Sequence, residues 1–169
     1  LRQSTERKLK SMAELPSMKT EFSMARIRSD LSLAIAGTNS FLEVTFGTED
    51  DEYVTFNPLP DDYKPTTRPW YKGAVKAEGE VYWTDPYLDT VTNQFVTTAS
   101  IMIKNSHNQV GVLSVDVSYE SIQDILSDFT VGRTGNITLV SESGIIVTSK
   151  NTKQIGKNIK EEEVFQKIK

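Results

Sequence analysis

Residues 68–89, RPWYKGAVKAEGEVYWTDPYLD, hold both tryptophans of the chain, three of its six tyrosines, one arginine and two aspartates. Arginine carries a rigid, permanently charged fork of donors that meets a carboxylate with two parallel hydrogen bonds. Arg68 stands directly before Pro69, and proline suits the first turn of a helix. A helix starting there sets free N–H groups and a positive dipole end beside the guanidinium, and both favour an anion. Trp70 adds an indole N–H donor and a broad apolar wall. This set suits the binding of a small carboxylate.

The opposite charge lies farther along the chain. In VGVLSVDV (110–117), strand alternation puts Val110, Val112, Ser114 and Asp116 on one face and Gly111, Leu113, Val115 and Val117 on the other. Asp116 is the only charged residue of that strand. A carboxylate there needs water or a cationic partner, because burying it alone is costly. Asp89, two residues after Tyr87, is a second such carboxylate. A cation with aromatic walls and isolated carboxylates on separate elements suits a zwitterion, its carboxylate at Arg68 and its ammonium at Asp116 and Asp89. Each feature also has a plain structural use. The tryptophans pack a core, Arg68 pairs with an aspartate, or Asp116 is solvated at a strand end. Residue types and spacing alone leave both open.

These groups need a scaffold. Residues 1–14 read as the end of a helix, and Pro16 breaks it near Leu15. Phe22, Ala25, Ile27, Leu31 and Ile35 recur at near-helical spacing, so a second helix is expected from about Lys19 to Ala36, stopped by Gly37. Leu42, Val44 and Phe46 alternate with polar residues as a strand, and Tyr53 to Phe56 is the return strand. The acidic turn between them, Glu49 to Glu52, reads as a solvated hairpin loop, with cation binding as its other use. A proline-rich loop precedes the helix at Pro69, which ends by Gly79. QFVTTASIMIK (94–104) and QVGVLSVDV (109–117) are rich in β-branched residues and read as an antiparallel pair. Ser118 is placed to cap a helix over YESIQDILSDF. After Phe129 the pattern restarts with a Gly-rich lead-in and two short strands around Ser143-Gly144. The fold class is α+β with an antiparallel sheet. Three parts are expected: a helical segment at 1–36, a module at 37–129 and an incomplete second module at 130–169.

Composition narrows the function. A chain of 169 residues with 37% hydrophobic content fits one domain, or one domain and a fragment. A net charge of −4 argues against nucleic acid as the main partner. The absence of cysteine excludes disulfides, a thiol nucleophile and zinc–thiolate sites. The single histidine, His107, sits in KNSHNQ and reads as an exposed turn residue, which leaves a His-based metal site or a Ser-His-Asp triad unsupported. No metal or cofactor is expected. No apolar run approaches the roughly 18 residues of a membrane span. The opening LRQSTERKLK and the Lys- and Glu-rich end are expected to be cuts within a longer chain.

The ordered set YKPTTRPWY (63–71), WTDPYLD (83–89) and VDV (115–117) resembles the double-Cache sensor domain, in its amino-acid-binding branch. GRTGNITLVSESGIIVTSKNTKQIGKNI is similar to the opening of that family's second module. The likeness runs from about Leu9 to Asn158. It implies a membrane-distal PAS-like module behind a long N-terminal helix, followed by the start of a membrane-proximal one. It also implies roles. Arg68 and Trp70 would bind a ligand α-carboxylate with help from Tyr63. Tyr71, Asp89 and Asp116 would bind the α-ammonium, and Tyr87 would complete the wall. The expected function is recognition without catalysis: the extracytoplasmic sensor of a bacterial membrane receptor, such as a chemoreceptor or sensor histidine kinase. Its ligand would be a free amino acid, and flanking helices outside this chain would hold it to the membrane. A homodimer through the N-terminal helix is expected. Two other readings stand beside it: the same scaffold taking an amine or an organic acid, and a small glycoside hydrolase using Asp89 and Asp116.

Overall fold

The structure is a computed structural model that describes residues 2–38, 41–89, 92, 94–119, 137–149 and 151–161. It divides into two compact units, Leu1–Thr84 with Thr98–Val117, and Asp85–Thr97 with Ser118–Lys169.

The first unit opens with α1 (Arg2–Ala13), α2 (Pro16–Lys19) and α3 (Met24–Ile35). Leu15, forced out of helical geometry by Pro16, has ψ 145° and ends α1. The second expected helix begins later than its spacing suggested, at Met24 rather than near Lys19. Residues after Lys19 are extended, and α3 starts only after Ser23, whose hydroxyl accepts from the Arg26 N–H. Gly37, at φ +73°, turns the chain out of the helix as expected.

The sheet of this unit has strand order β2-β1-β6-β5-β3, with β1 (Glu43–Thr48), β2 (Tyr53–Val54), β3 (Tyr82–Trp83), β5 (Phe95–Lys104) and β6 (Val110–Ser118). β5 and β6 are neighbours joined by the tight turn at 105–109, which makes them antiparallel. His107 is exposed in that turn, and its N–H donates to Asn105. A 3-10 turn, Pro65–Thr67, leads into α4 (Pro69–Lys76).

Alternation gives the sheet two unlike faces. On one, Val44 and Phe46, Ala99, Ile101 and Ile103, and Leu113 and Val115 meet α1–α3 through Leu9, Met12, Met18, Ile27 and Leu31. Each large side chain buried there contributes about 1.5–3 kcal/mol. On the other face α4 packs Trp70, Tyr71 and Ala74 against Val112, with Tyr63, Tyr82 and Met102 at the margin. The faces read from VGVLSVDV are therefore the observed ones. Gly47 lets α4 and its lead-in lie close to the sheet, since a Cβ there would come within 2.4 Å of the Pro65 ring.

In the second unit, β4 (Tyr87–Leu88) pairs with the start of β5, in register Tyr87 to Val96 and Leu88 to Phe95. β7 (Leu139–Val140) pairs with β8 (Ile146–Thr148), and Gly156 leaves room for the Phe95 ring. Strands β3 and β4 went unread in the sequence because two residues carry no period. The helix expected over YESIQDILSDF and most of the Gly-rich lead-in lie outside the described residues.

Candidate functional site

The site grows from the approach to α4. Asp51, at φ +64° in the β1–β2 turn, accepts from the Thr66 N–H at 3.1 Å and from its hydroxyl at 2.6 Å. That fastens the 3-10 turn and fixes where α4 begins. The acidic turn thus has structural work: Asp51 holds Thr66, and Glu49 accepts from the Val110 N–H at 3.1 Å. Pro69 occupies the first turn of α4 and Arg68 its N-cap position, as read from the sequence.

Arg68 folds back so that its guanidinium carbon lies 5.8 Å from the centre of the Tyr63 ring. Its Nε is buried and has no hydrogen-bond partner. Tyr63 packs edge-to-face on Tyr53 at 5.2 Å. Burial pushes the Tyr63 phenol up to about 12, against the pull of Arg68 and of a Trp70 hydrogen bond; Asp116 adds to the rise. Three residues chosen from sequence, Arg68, Trp70 and Asp116, therefore act on the phenol of a fourth, Tyr63.

Trp70, 4% exposed, meets Tyr71 edge-to-face at 5.8 Å. The Trp70 carbonyl accepts from the Ser100 hydroxyl at 2.9 Å, which ties α4 to β5. Tyr71 is 6% exposed, and its hydroxyl is buried without a partner. Burial, then the charges of Glu49, Asp51 and Asp50, push that phenol up to about 12. Buried donors without acceptors are costly in a folded protein, and a site for a polar guest is one reason to keep them.

Asp116 is half-buried on the α4 face of β6, and its Oδ1 accepts from the Thr98 hydroxyl at 2.6 Å. The ion pairs Arg2–Glu6 and Lys19–Glu14 do not involve Arg68, and no direct Arg68–aspartate pair is seen among the described residues.

Tyr87 and Asp89 belong to the second unit. Tyr87 lies in β4. Asp89 closes the following turn, its Oδ2 accepting from the Thr92 N–H at 2.7 Å and from the Thr92 hydroxyl at 2.6 Å. The two tryptophans part company. Trp83 lies on the other sheet face, where its indole donates to Glu6 at 2.8 Å beneath the Arg2 guanidinium. For Trp83 the structural use is the observed one.

Sequence reasoning missed three polar groups near these residues: Thr98, Ser100 and Glu43. Glu43 is the cross-strand partner of Asp116. Its signal was available, since it is the only charge in SFLEVTFG just as Asp116 is in its own strand.

Residues 37–124, more than half of the chain, match the family model described as methyl-accepting chemotaxis protein-like, first PDC sensor domain. The chain is 35% identical over 124 residues to the methyl-accepting chemotaxis protein McpC of Bacillus subtilis, a match covering 72% of this chain and 19% of that protein. It therefore spans about a fifth of that relative's length. Among solved structures, it is similar to the ligand-binding domain of the Pseudomonas fluorescens chemoreceptor CtaA in complex with L-valine. That likeness has TM-score 0.76 and 25% identity, over 95% of this chain and 71% of that one. The ligand-binding domain of the Pseudomonas aeruginosa amino acid chemoreceptor PctB, in complex with L-arginine, shares the fold at TM-score 0.77 and 23% identity, over 92% of this chain and 61% of that one.

Proposed function

The chain belongs to the methyl-accepting chemotaxis protein-like PDC sensor-domain family, and from this we propose that it is the extracytoplasmic part of a chemotaxis receptor that binds a free amino acid. Residues 37–129 would be the ligand-binding module, and 130–169 the start of a second one. Arg68 and Trp70, with Tyr63, would hold the ligand carboxylate. Tyr71, Asp89 and Asp116 would hold its ammonium, and Tyr87 would close the wall. The observation that carries this is a pair of buried polar atoms without partners, the Arg68 Nε–H, which can donate to a carboxylate, and the Tyr71 Oη, which can accept from an ammonium, on a sheet face that also bears Asp116. The ligand-bound relatives named above support the same class of guest.

Binding would do no chemistry. In this reading Asp116 and Asp89, each held by a threonine hydroxyl, serve to bind the ammonium rather than to move a proton. Signalling requires that the ligand favour one of two conformations, since equal affinity for both shifts nothing. The N-terminal helices are the natural transmitter and dimer contact. Leu33 on α3 is 75% exposed, an apolar side chain that a second copy would cover. Sedimentation at high concentration tests the dimer, and a monomer throughout rejects it.

A thermal-shift screen with the standard amino acids tests the ligand class. The best hit is then compared with its decarboxylated amine and its deaminated acid. A ligand at 100 times its Kd adds about 2.7 kcal/mol of stability, which raises Tm by several degrees in a chain of this size. The proposal expects only the intact amino acid to do so. A shift of equal size from the amine or the acid alone would reject the zwitterion site.

A further inference from the structure

We propose that Glu43 is a positioning residue for the ammonium end of this site and makes the site select for ligands that carry a positive charge. The inference rests on the amino-acid reading above and adds a residue that the reading does not contain.

The antiparallel β1–β6 register sets Glu43 directly opposite Asp116. Opposite residues share a sheet face, with Cβ atoms about 4.5–5.5 Å apart, and like charges so placed are destabilising. The two carboxylates are nonetheless fixed there, each by donors on its outer side. Thr98, on β5, holds Asp116 at 2.6 Å. Glu43 is held from the β2 side. Its Oε1 accepts from the Thr55 hydroxyl at 3.1 Å, the Phe56 N–H at 3.0 Å and the Val44 N–H at 3.1 Å. Its Oε2 accepts from the Asn57 side-chain amide. Every one of these partners is neutral. The carboxylate is therefore held by several donors, and among the described residues no ion pair balances its charge.

The segment 55–57 is clamped from the other direction as well. Arg28 of α3 donates to the Thr55 carbonyl at 2.7 Å and lies over the Phe56 ring at 5.2 Å. Glu43 thus joins three things: a wall segment, a helix of the N-terminal bundle, and the residue beside Asp116. Two ordered carboxylates pinned apart on neighbouring strands make a negative notch that a guest ammonium relieves. An anionic guest without an ammonium would be repelled by both.

Glu43→Gln separates charge from shape. The amide keeps the acceptor used by Thr55 and Phe56, and Asn57 can offer its own carbonyl after an amide flip. Calorimetry on the whole 169-residue chain would use the amino acid giving the largest thermal shift among the standard set, together with its deaminated acid. The expected result is a roughly tenfold loss for the amino acid (about 1.4 kcal/mol), no loss for the deaminated acid, and a Tm near that of the unsubstituted protein. Glu43→Ala is expected to weaken the amino acid at least as much and also to lower Tm, because 55–57 is released. Equal losses for both ligands, or wild-type affinity in Glu43→Gln, would reduce Glu43 to a structural residue and overturn the inference. If the unsubstituted chain bound no amino acid, the underlying reading would fail and take this inference with it.

Discussion

The two faces of the first unit's sheet are built from the same strands and differ in almost every other respect. Beneath α1–α3 the sheet carries Phe46, Leu113, Val115, Ala99 and Ile101 packed on Leu9, Met18 and Ile27, a hydrocarbon core with little polar content. Beneath α4 it carries Thr45, Thr98, Ser100, Ser114, Glu43 and Asp116, capped by an arginine and four aromatic residues. The first face is what a stable fold requires, and its strand side chains are buried apolar groups. The second keeps polar atoms out of water without giving all of them partners, which weakens the fold where it stands and leaves capacity for a guest. The lesson is a division of labour within one β-sheet. Stability resides on one side and the proposed recognition on the other, and alternation alone sorts the residues.

Substitutions can break that division. The largest expected effect is on the hydrocarbon face. Phe46 is fully buried, meets Phe22 edge-to-face at 5.0 Å, and has no room to be replaced from the side of Gly111. Phe46→Ala should cost about 3–5 kcal/mol in chemical denaturation, with ligand affinity of the folded protein unchanged. A comparable loss of affinity would show that the faces are not separate.

The next effect belongs to the α4 face. A methyl on Gly47 would overlap Pro65 and press on the Trp70 ring. Gly47→Ala should cost about 1–3 kcal/mol and also weaken ligand binding, because it lifts the lead-in to Arg68. Loss of stability without loss of affinity would sever the link between that packing and the site.

The tryptophans sharpen the contrast with a single chemistry. Trp83→Phe removes the hydrogen bond to Glu6 and should cost about 0.5–1.5 kcal/mol of stability with no change in affinity. Trp70→Phe should lower affinity about tenfold, the worth of about 1.4 kcal/mol. Parallel behaviour of the two variants would erase the distinction.

The smallest effect is spectroscopic. Burial raises both Tyr63 and Tyr71 to about 12, whereas an unfolded tyrosine titrates near about 10. The fold therefore holds these phenols neutral. Their contribution to stability is intact below about pH 10 and is lost as pH rises through about 12. In a tyrosinate absorbance titration, Tyr63 and Tyr71 should give a late phase near about pH 12. Tyr63→Phe with Tyr71→Phe should remove that late phase. Its persistence would reassign the buried phenols.

Much of this arrangement could be read from the sequence, because it depends on local rules. Pro16, Gly37 and Pro69 set helix boundaries that the structure keeps, and the alternation in VGVLSVDV sent Asp116 to the α4 face. Other parts depend on partners distant in sequence. Nothing near Trp83 announces that its indole meets Glu6, 77 residues earlier. Glu43 read only as one of the polar residues of an alternating strand, and its meaning comes from a register that sets it opposite Asp116. Ser23 carried a capping signal that the helical spacing of Phe22 and Ala25 obscured. Strands of two residues have no pattern to read.

The most direct test crosses two substitutions with two half-ligands. Calorimetry would compare Arg68→Ala and Asp116→Ala against the best amino acid of the screen, its amine and its deaminated acid. Removing either charge should cost about 2–5 kcal/mol for the amino acid, roughly 30-fold or more in Kd. Arg68→Ala should spare the amine, and Asp116→Ala should spare the acid. Unchanged amino-acid affinity in either variant, or losses that ignore which half of the ligand is present, would contradict a site with one charge for each end of its guest.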